Sequence, residues 1–212
     1  MKMRRLFSFF IAVLGIGSIY AQTVQEHDTI MLQEVVLNKE TGSTKLKTLS
    51  LKGPCYHPDN LNAAQEIITL VSGLPEGYLE NITFTFNRNN NPAKAGSTFK
   101  DTKLELVFFE VDEDNQPGQE IYAETKIIPL KEDFIGQLAI DVSTLNIKVE
   151  KNIFVGVKRL EASTEKSGVS VDCLCSGQDK YFTFIRADEA SPWSRRWECA
   201  AIRVDVTVAV QR

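Results

Sequence analysis

The chain of 212 residues holds only two histidines, two tryptophans and four cysteines. With His27 and His57 alone, and no G-x-S-x-G, a hydrolytic triad lacks parts. Basic residues are not in excess: 24 Lys and Arg stand against 28 Asp and Glu, for a net charge of −4. That balance argues against nucleic acid, whose binders concentrate Lys and Arg on one face. No internal repeat, no low-complexity segment and no helical periodicity of quality is present. Beyond Leu6–Tyr20 there is no long apolar run, so no transmembrane segment is expected once that run is removed.

Residues 1–21 read as an export signal. Lys2, Arg4 and Arg5 form a basic start, Leu6 to Tyr20 an apolar core, and Ile19-Tyr20-Ala21 an acceptable cleavage site before Gln22. A spanning helix needs roughly 20 apolar residues, more than this run supplies. No Cys lies between the apolar run and Cys55, so no lipid anchor is expected at the new N-terminus. Residues 22–50 read as an N-terminal strand, Thr29 to Leu37, followed by a polar linker. Residues 51–212 read as one domain, long enough to bury a sizeable core.

The stretch 103–160 sets the fold class. Leu104, Leu106 and Phe108 recur at the two-residue period of a half-buried strand; Leu138, Ile140 and Val142 repeat it, as do Ile153, Val155 and Val157. Asp112 to Gly118 is a run of turn formers. Ile82, Phe84 and Phe86 form another strand, as do Val169–Cys175, Tyr181–Ile185 and the alternation from Ile202 to Val210. Asn60–Val71 fits either a helix face or a buried strand; its β-branched residues, closed by Gly73 and Pro75, favour the strand. Short strands between turn signals predict a single antiparallel β-sandwich, jelly-roll-like, of about eight to ten strands.

An exported chain meets an oxidising compartment, so Cys55, Cys173, Cys175 and Cys199 are disulfide candidates. Cys173 and Cys175 sit two apart on one face of a strand and are not expected to bond each other. Cys55 and Cys199 then each take one of that pair, in either of two connectivities. The same region offers Cys55, His57, Cys173 and Cys175 as zinc ligands, but the spacing differs from a C-x₂₋₄-C knuckle. No metal and no cofactor are expected.

Phe109-Glu-Val-Asp, Gln116-Pro-Gly-Gln-Glu120, Ile140-Asp-Val-Ser and Asn152-Ile-Phe-Val-Gly-Val157 together resemble the β-sandwich module of exported Gram-negative envelope proteins. In that family the module usually follows a carboxypeptidase-regulatory-like domain. Leu32-Gln-Glu-Val-Val36 is similar to the strand that closes the regulatory domain, and Phe184-Ile-Arg186 with Trp193 suits the later part of the module. The resemblance covers roughly residues 64–210 and rests on turns and core positions. It implies a jelly-roll-like sandwich, an address in the periplasm or on the outer cell surface, and no catalytic residues. The regulatory domain itself is expected to be absent.

Three local motifs have competing readings. Ser97-Thr-Phe-Lys100 and Lys166-Ser-Gly168 mimic the S-x-x-K and K-T-G motifs of penicillin-recognising enzymes. That chemistry needs Ser at the start of a buried helix, and Ser97 instead precedes a strand, so no enzyme is expected. Asp112, Glu113, Asp114 and Asn115 offer oxygens to calcium but lack the spacing of a dedicated loop; they read as a solvated hairpin tip. Ser191-Pro-Trp-Ser-Arg-Arg-Trp197 carries both tryptophans around Arg195 and Arg196. Flat aromatics beside a guanidinium stack on sugar rings or anchor protein partners. The competing reading has a tryptophan plugging the end of the core. Trp193, Trp197, Arg195 and Arg196 are therefore the candidate binding residues, with a glycan or another envelope protein as the expected partner. The alternative is a structural accessory subunit with no ligand of its own.

Overall fold

Ile82, Phe84 and Phe86 all turn to one side of a twelve-residue strand and are buried, while Thr83 and Asn87 on the other side keep partial exposure. This two-residue alternation builds the molecule. The computed structural model describes residues 44–53, 55–61, 66–88, 101–121, 124–131, 134–160, 169–175 and 181–210. Residues 1–21, which read as an export signal, the run Thr29–Leu37, and the motifs Ser97–Lys100 and Lys166–Gly168 lie outside the described residues.

The strands are β1 (Lys45–Ser50), β2 (Tyr56–Asn60), β3 (Glu66–Ser72), β4 (Gly77–Arg88), β5 (Thr102–Val111), β6 (Pro117–Glu120) and β7 (Lys126–Leu130). They continue as β8 (Gly136–Asp141), β9 (Lys148–Val149), β10 (Asn152–Arg159), β11 (Val169–Leu174), β12 (Thr183–Arg186), β13 (Ser194–Arg195) and β14 (Val204–Val210). A 3-10 turn, Ser143–Leu145, lies between β8 and β9. One sheet runs β1-β14-β4-β11-β2, with β8 and β9 also on β4; the other runs β13-β12-β3-β10-β5-β6, with β7 also on β5. Every pairing between these strands is antiparallel. The protein is an all-β sandwich, and Asn60–Val71 contributes a buried strand, β3, in its second half.

The main core lies between the sheets. Leu79, Ile82, Phe84, Val204 and Val206 of the first sheet belong to one cluster with Val71, Leu104, Leu106, Phe108 and Val155 of the second. The second sheet is apolar on its other face too, where Ile68, Leu70, Val107, Phe109, Phe154 and Phe184 form a separate cluster. This is why Ile67–Val71 is apolar at every position but Thr69 rather than alternating. Gly156 sits in the middle of that sheet, where a Cβ would lie 2.0 Å from the Ile67 carbonyl oxygen.

More strands form than the periodicity shows. Lys45–Ser50, inside the segment that reads as strand and linker, is β1 and pairs with β14 along its whole length. Tyr56–Asn60 is β2, an edge strand on β11. The turn after β5 is held by its own side chain, because Asp112 Oδ1 accepts from the amides of Asp114 and Gln116. Asn115 supplies the left-handed residue, at φ 58°.

Candidate functional site

The second sheet carries a row of charges set by register. Arg186 stands opposite Glu66, Glu66 opposite Lys158, and Lys158 opposite Glu105, so the signs alternate across four strands. Glu66 is almost fully buried, and its carboxylate accepts from Arg186 Nε at 2.6 Å. Lys158 reaches Glu105 at 3.5 Å and also pairs with Glu189. The hydrogen bond to Glu189 holds the ammonium of Lys158 above its ordinary range and the carboxyl of Glu189 below its own. Beside this row a cleft of about 210 Å³ is lined by Glu105, Glu120, Glu124, Lys158 and Glu189, among others. Burial, reinforced by the charge of Glu66, pushes the Glu120 carboxyl up; Lys158 and Arg186 oppose the shift.

Beyond β12 the chain turns at Asp188, whose Oδ1 accepts from both the amide and the hydroxyl of Ser191. The hydroxyl bond is the chief reason that carboxyl lies below its usual range. Trp193 follows and lies edge-on to Phe109, with ring centroids 5.2 Å apart. The Arg186 guanidinium sits 4.4 Å from the indole centroid and 5.4 Å from that of Phe109. Trp193 is thus a partly buried lid on the second apolar cluster.

Four residues later the outcome is reversed. Trp197 is 67% exposed, the most exposed of the large hydrophobic side chains described. Three restraints hold it. Arg195, on β13, stacks its guanidinium between the rings of Phe182, at 4.4 Å, and Trp197, at 4.1 Å. Arg196 grips Asp59 with two bonds, Nε to Oδ2 and Nη2 to Oδ1, both 2.9 Å. That bidentate bond to Asp59 is the first reason the Arg196 guanidinium is held above its ordinary range. Cys199 is bridged to Cys173, and its amide bonds back to the Arg196 carbonyl at 3.3 Å. An indole exposed on a turn pinned on both sides and from beneath is a preorganised contact surface.

The cysteines pair as Cys55–Cys175 and Cys173–Cys199, with Cα separations of 5.6 and 5.1 Å. The first ties the start of β2 to the end of β11; the second, buried in the main core, ties the Trp197 turn to β11. Oxygen and sulfur atoms of Asp59, Cys173 and Cys199 lie within 4.8 Å of one another. Both sulfurs are spent in the bridge, so Asp59 alone could donate to a metal there, and its carboxylate holds Arg196. His57 is half-buried on β2, and Cys55, Cys173 and Cys175 are consumed in the two bridges.

Of the four candidate binding residues, Arg195 and Trp197 form one unit. Arg196 serves as its anchor, and Trp193 closes the outer apolar cluster. Asp59, Phe182 and Tyr181, which complete the support, carry no local motif; their partners lie 13 to 137 residues away. A second aromatic–guanidinium pair, Tyr56 under Arg203 at 4.6 Å, sits beside Asp172, which accepts from Asn87 at 3.0 Å and lies 3.5 Å from Arg203. It too is invisible in sequence.

The fold and the turn together define an all-β sandwich with a braced, aromatic surface turn. Compared with known proteins, the chain matches no family model and no curated sequence. No helix among the described residues is long and apolar enough to cross a membrane.

Proposed function

We propose that the protein is an exported, non-catalytic module of a Gram-negative cell envelope, in the periplasm or on the outer surface. It binds a glycan or another envelope protein through the Trp197 turn. The observation that carries this reading is the locked, solvent-exposed indole of Trp197. Burying such a ring would stabilise the fold by roughly 1.5–3 kcal/mol, yet this turn is braced by an ion pair, a stack and a disulfide that keep it outside. The export signal and the paired cysteines support the address, since disulfides persist in oxidising compartments.

The test is retention of the purified protein on immobilised envelope extract and on a glycan array, compared with Trp197→Ala and Trp193→Ala. Trp197→Ala should lose retention with an unchanged melting temperature. Trp193→Ala should lower the melting temperature, because it uncovers the cluster around Phe109 and Phe154. Absence of any retention of the wild type on the glycan array would favour the structural accessory subunit instead.

A further inference from the structure

We infer that the Arg195–Trp197 pair is a subsite for an acidic saccharide, an inference that rests on the binding role proposed for this turn. Arg195 is the distinctive residue. Among the described residues no carboxylate stands within ion-pair distance of it, whereas Arg186, Arg196 and Arg203 each have one. Its face is occupied by the Phe182 and Trp197 rings. Among the described residues its rim makes one hydrogen bond, from Nη2 to the Tyr181 carbonyl at 3.5 Å. A guanidinium carries five N–H donors in its plane, so stacking leaves the rim able to grip a carboxylate or sulfate.

The indole adds the second half of the recognition. An exposed ring offers flat apolar area to the C–H face of a pyranose. The cation already stacked on Trp197 weakens the ring's attraction for a second cation, because both draw on the same quadrupole. A lysine- or arginine-bearing partner is therefore disfavoured, and a ligand combining a flat apolar face with a negative group is favoured. An acidic sugar has both within one ring. Two carboxylates near the pair, Asp59 and Glu198, are both offset by Arg196, at 2.9 and 3.5 Å.

The experiment uses an array of uronate-, sialate- and sulfate-bearing oligosaccharides, their neutral counterparts, and a tetraglutamate peptide, with tryptophan fluorescence titration of each hit. At least one acidic oligosaccharide should bind and change the tryptophan emission, and Trp197→Ala should abolish the change. Arg195→Gln keeps a planar stack but removes the charge; it should weaken that binding about tenfold or more, the scale of a charged hydrogen bond. Raised salt should weaken it in the wild type and not in Arg195→Gln. Binding to neutral counterparts with equal affinity, binding to tetraglutamate with equal affinity, or no acidic hit at all would each overturn the inference. If no acidic sugar binds while envelope extract still retains the wild type and not Trp197→Ala, the saccharide falls and the binding role stands. Loss of both removes the two together.

Discussion

Arg195, the last residue of β13, and Arg196, just beyond it, are neighbours with opposite duties: one meets the rings of Phe182 and Trp197, the other the carboxylate of Asp59. Arg196 turns to Asp59, which is 8% exposed, and truncating it takes both bonds of the bidentate pair from that buried carboxylate. Arg196→Ala should therefore destabilise the fold by about 2–3 kcal/mol, below the range for a fully buried pair because the guanidinium is partly solvated. Urea denaturation measures this, and Asp59→Asn with Arg196→Ala together should cost less than the sum. Gly156→Ala drives a methyl into the Ile67 carbonyl 2.0 Å away, so a loss of about 3 kcal/mol, or failure to fold, is expected from overpacking. Glu120 gives a pH prediction. Its carboxyl is raised in the folded state, so the folded protein binds this proton more tightly than the unfolded chain, and ionisation costs stability above the folded pKa. Glu120→Gln should raise the melting temperature at neutral pH, and the gain should shrink as the pH falls through the raised value. A gain that is constant with pH would contradict the assignment.

At the scale of elements, β11 is the hub of the bracing. It presents Cys173 to the Trp197 turn and Cys175, just beyond its end, to the segment before β2. The bridges close loops of 120 and 26 residues. In the chain-entropy account they stabilise by about 5 and about 3.5 kcal/mol respectively. Replacing Cys55 and Cys175 by Ser should lower stability while leaving Trp197-dependent binding in place; replacing Cys173 and Cys199 should weaken both. Denaturation and array retention, measured on the two double variants, separate these effects. The elements differ also in how well they announce themselves. β4, β5, β10 and β14 bury one face or two and read clearly from Ile82-x-Phe84-x-Phe86 and its counterparts. The edge strands β1 and β2 do not, since Lys45 to Ser50 carries one leucine on each side, Leu46 and Leu49, with no alternation, and β2 contains Pro58, a residue tolerated in a sheet at its edge.

For the whole molecule, the alternation of apolar residues was enough to read a sandwich, because closing two sheets over one interior needs only the right face on each strand. The site was legible only as a neighbourhood. Trp193 and Trp197 are four residues apart in one polar loop, yet one covers an apolar cluster and the other faces water. The difference comes from β13, two residues long, and from contacts with Phe109, Phe182 and Asp59 that are distant in sequence. Pairings of that kind arise from topology and leave no periodic mark. The bracing of the turn should hold an exposed indole still. Backbone and indole ¹⁵N relaxation of the purified protein tests it directly. The Trp197 Nε1–H should show an order parameter near that of rigid backbone, about 0.85, despite its exposure; a value below about 0.6 would mark a mobile ring and contradict the claim.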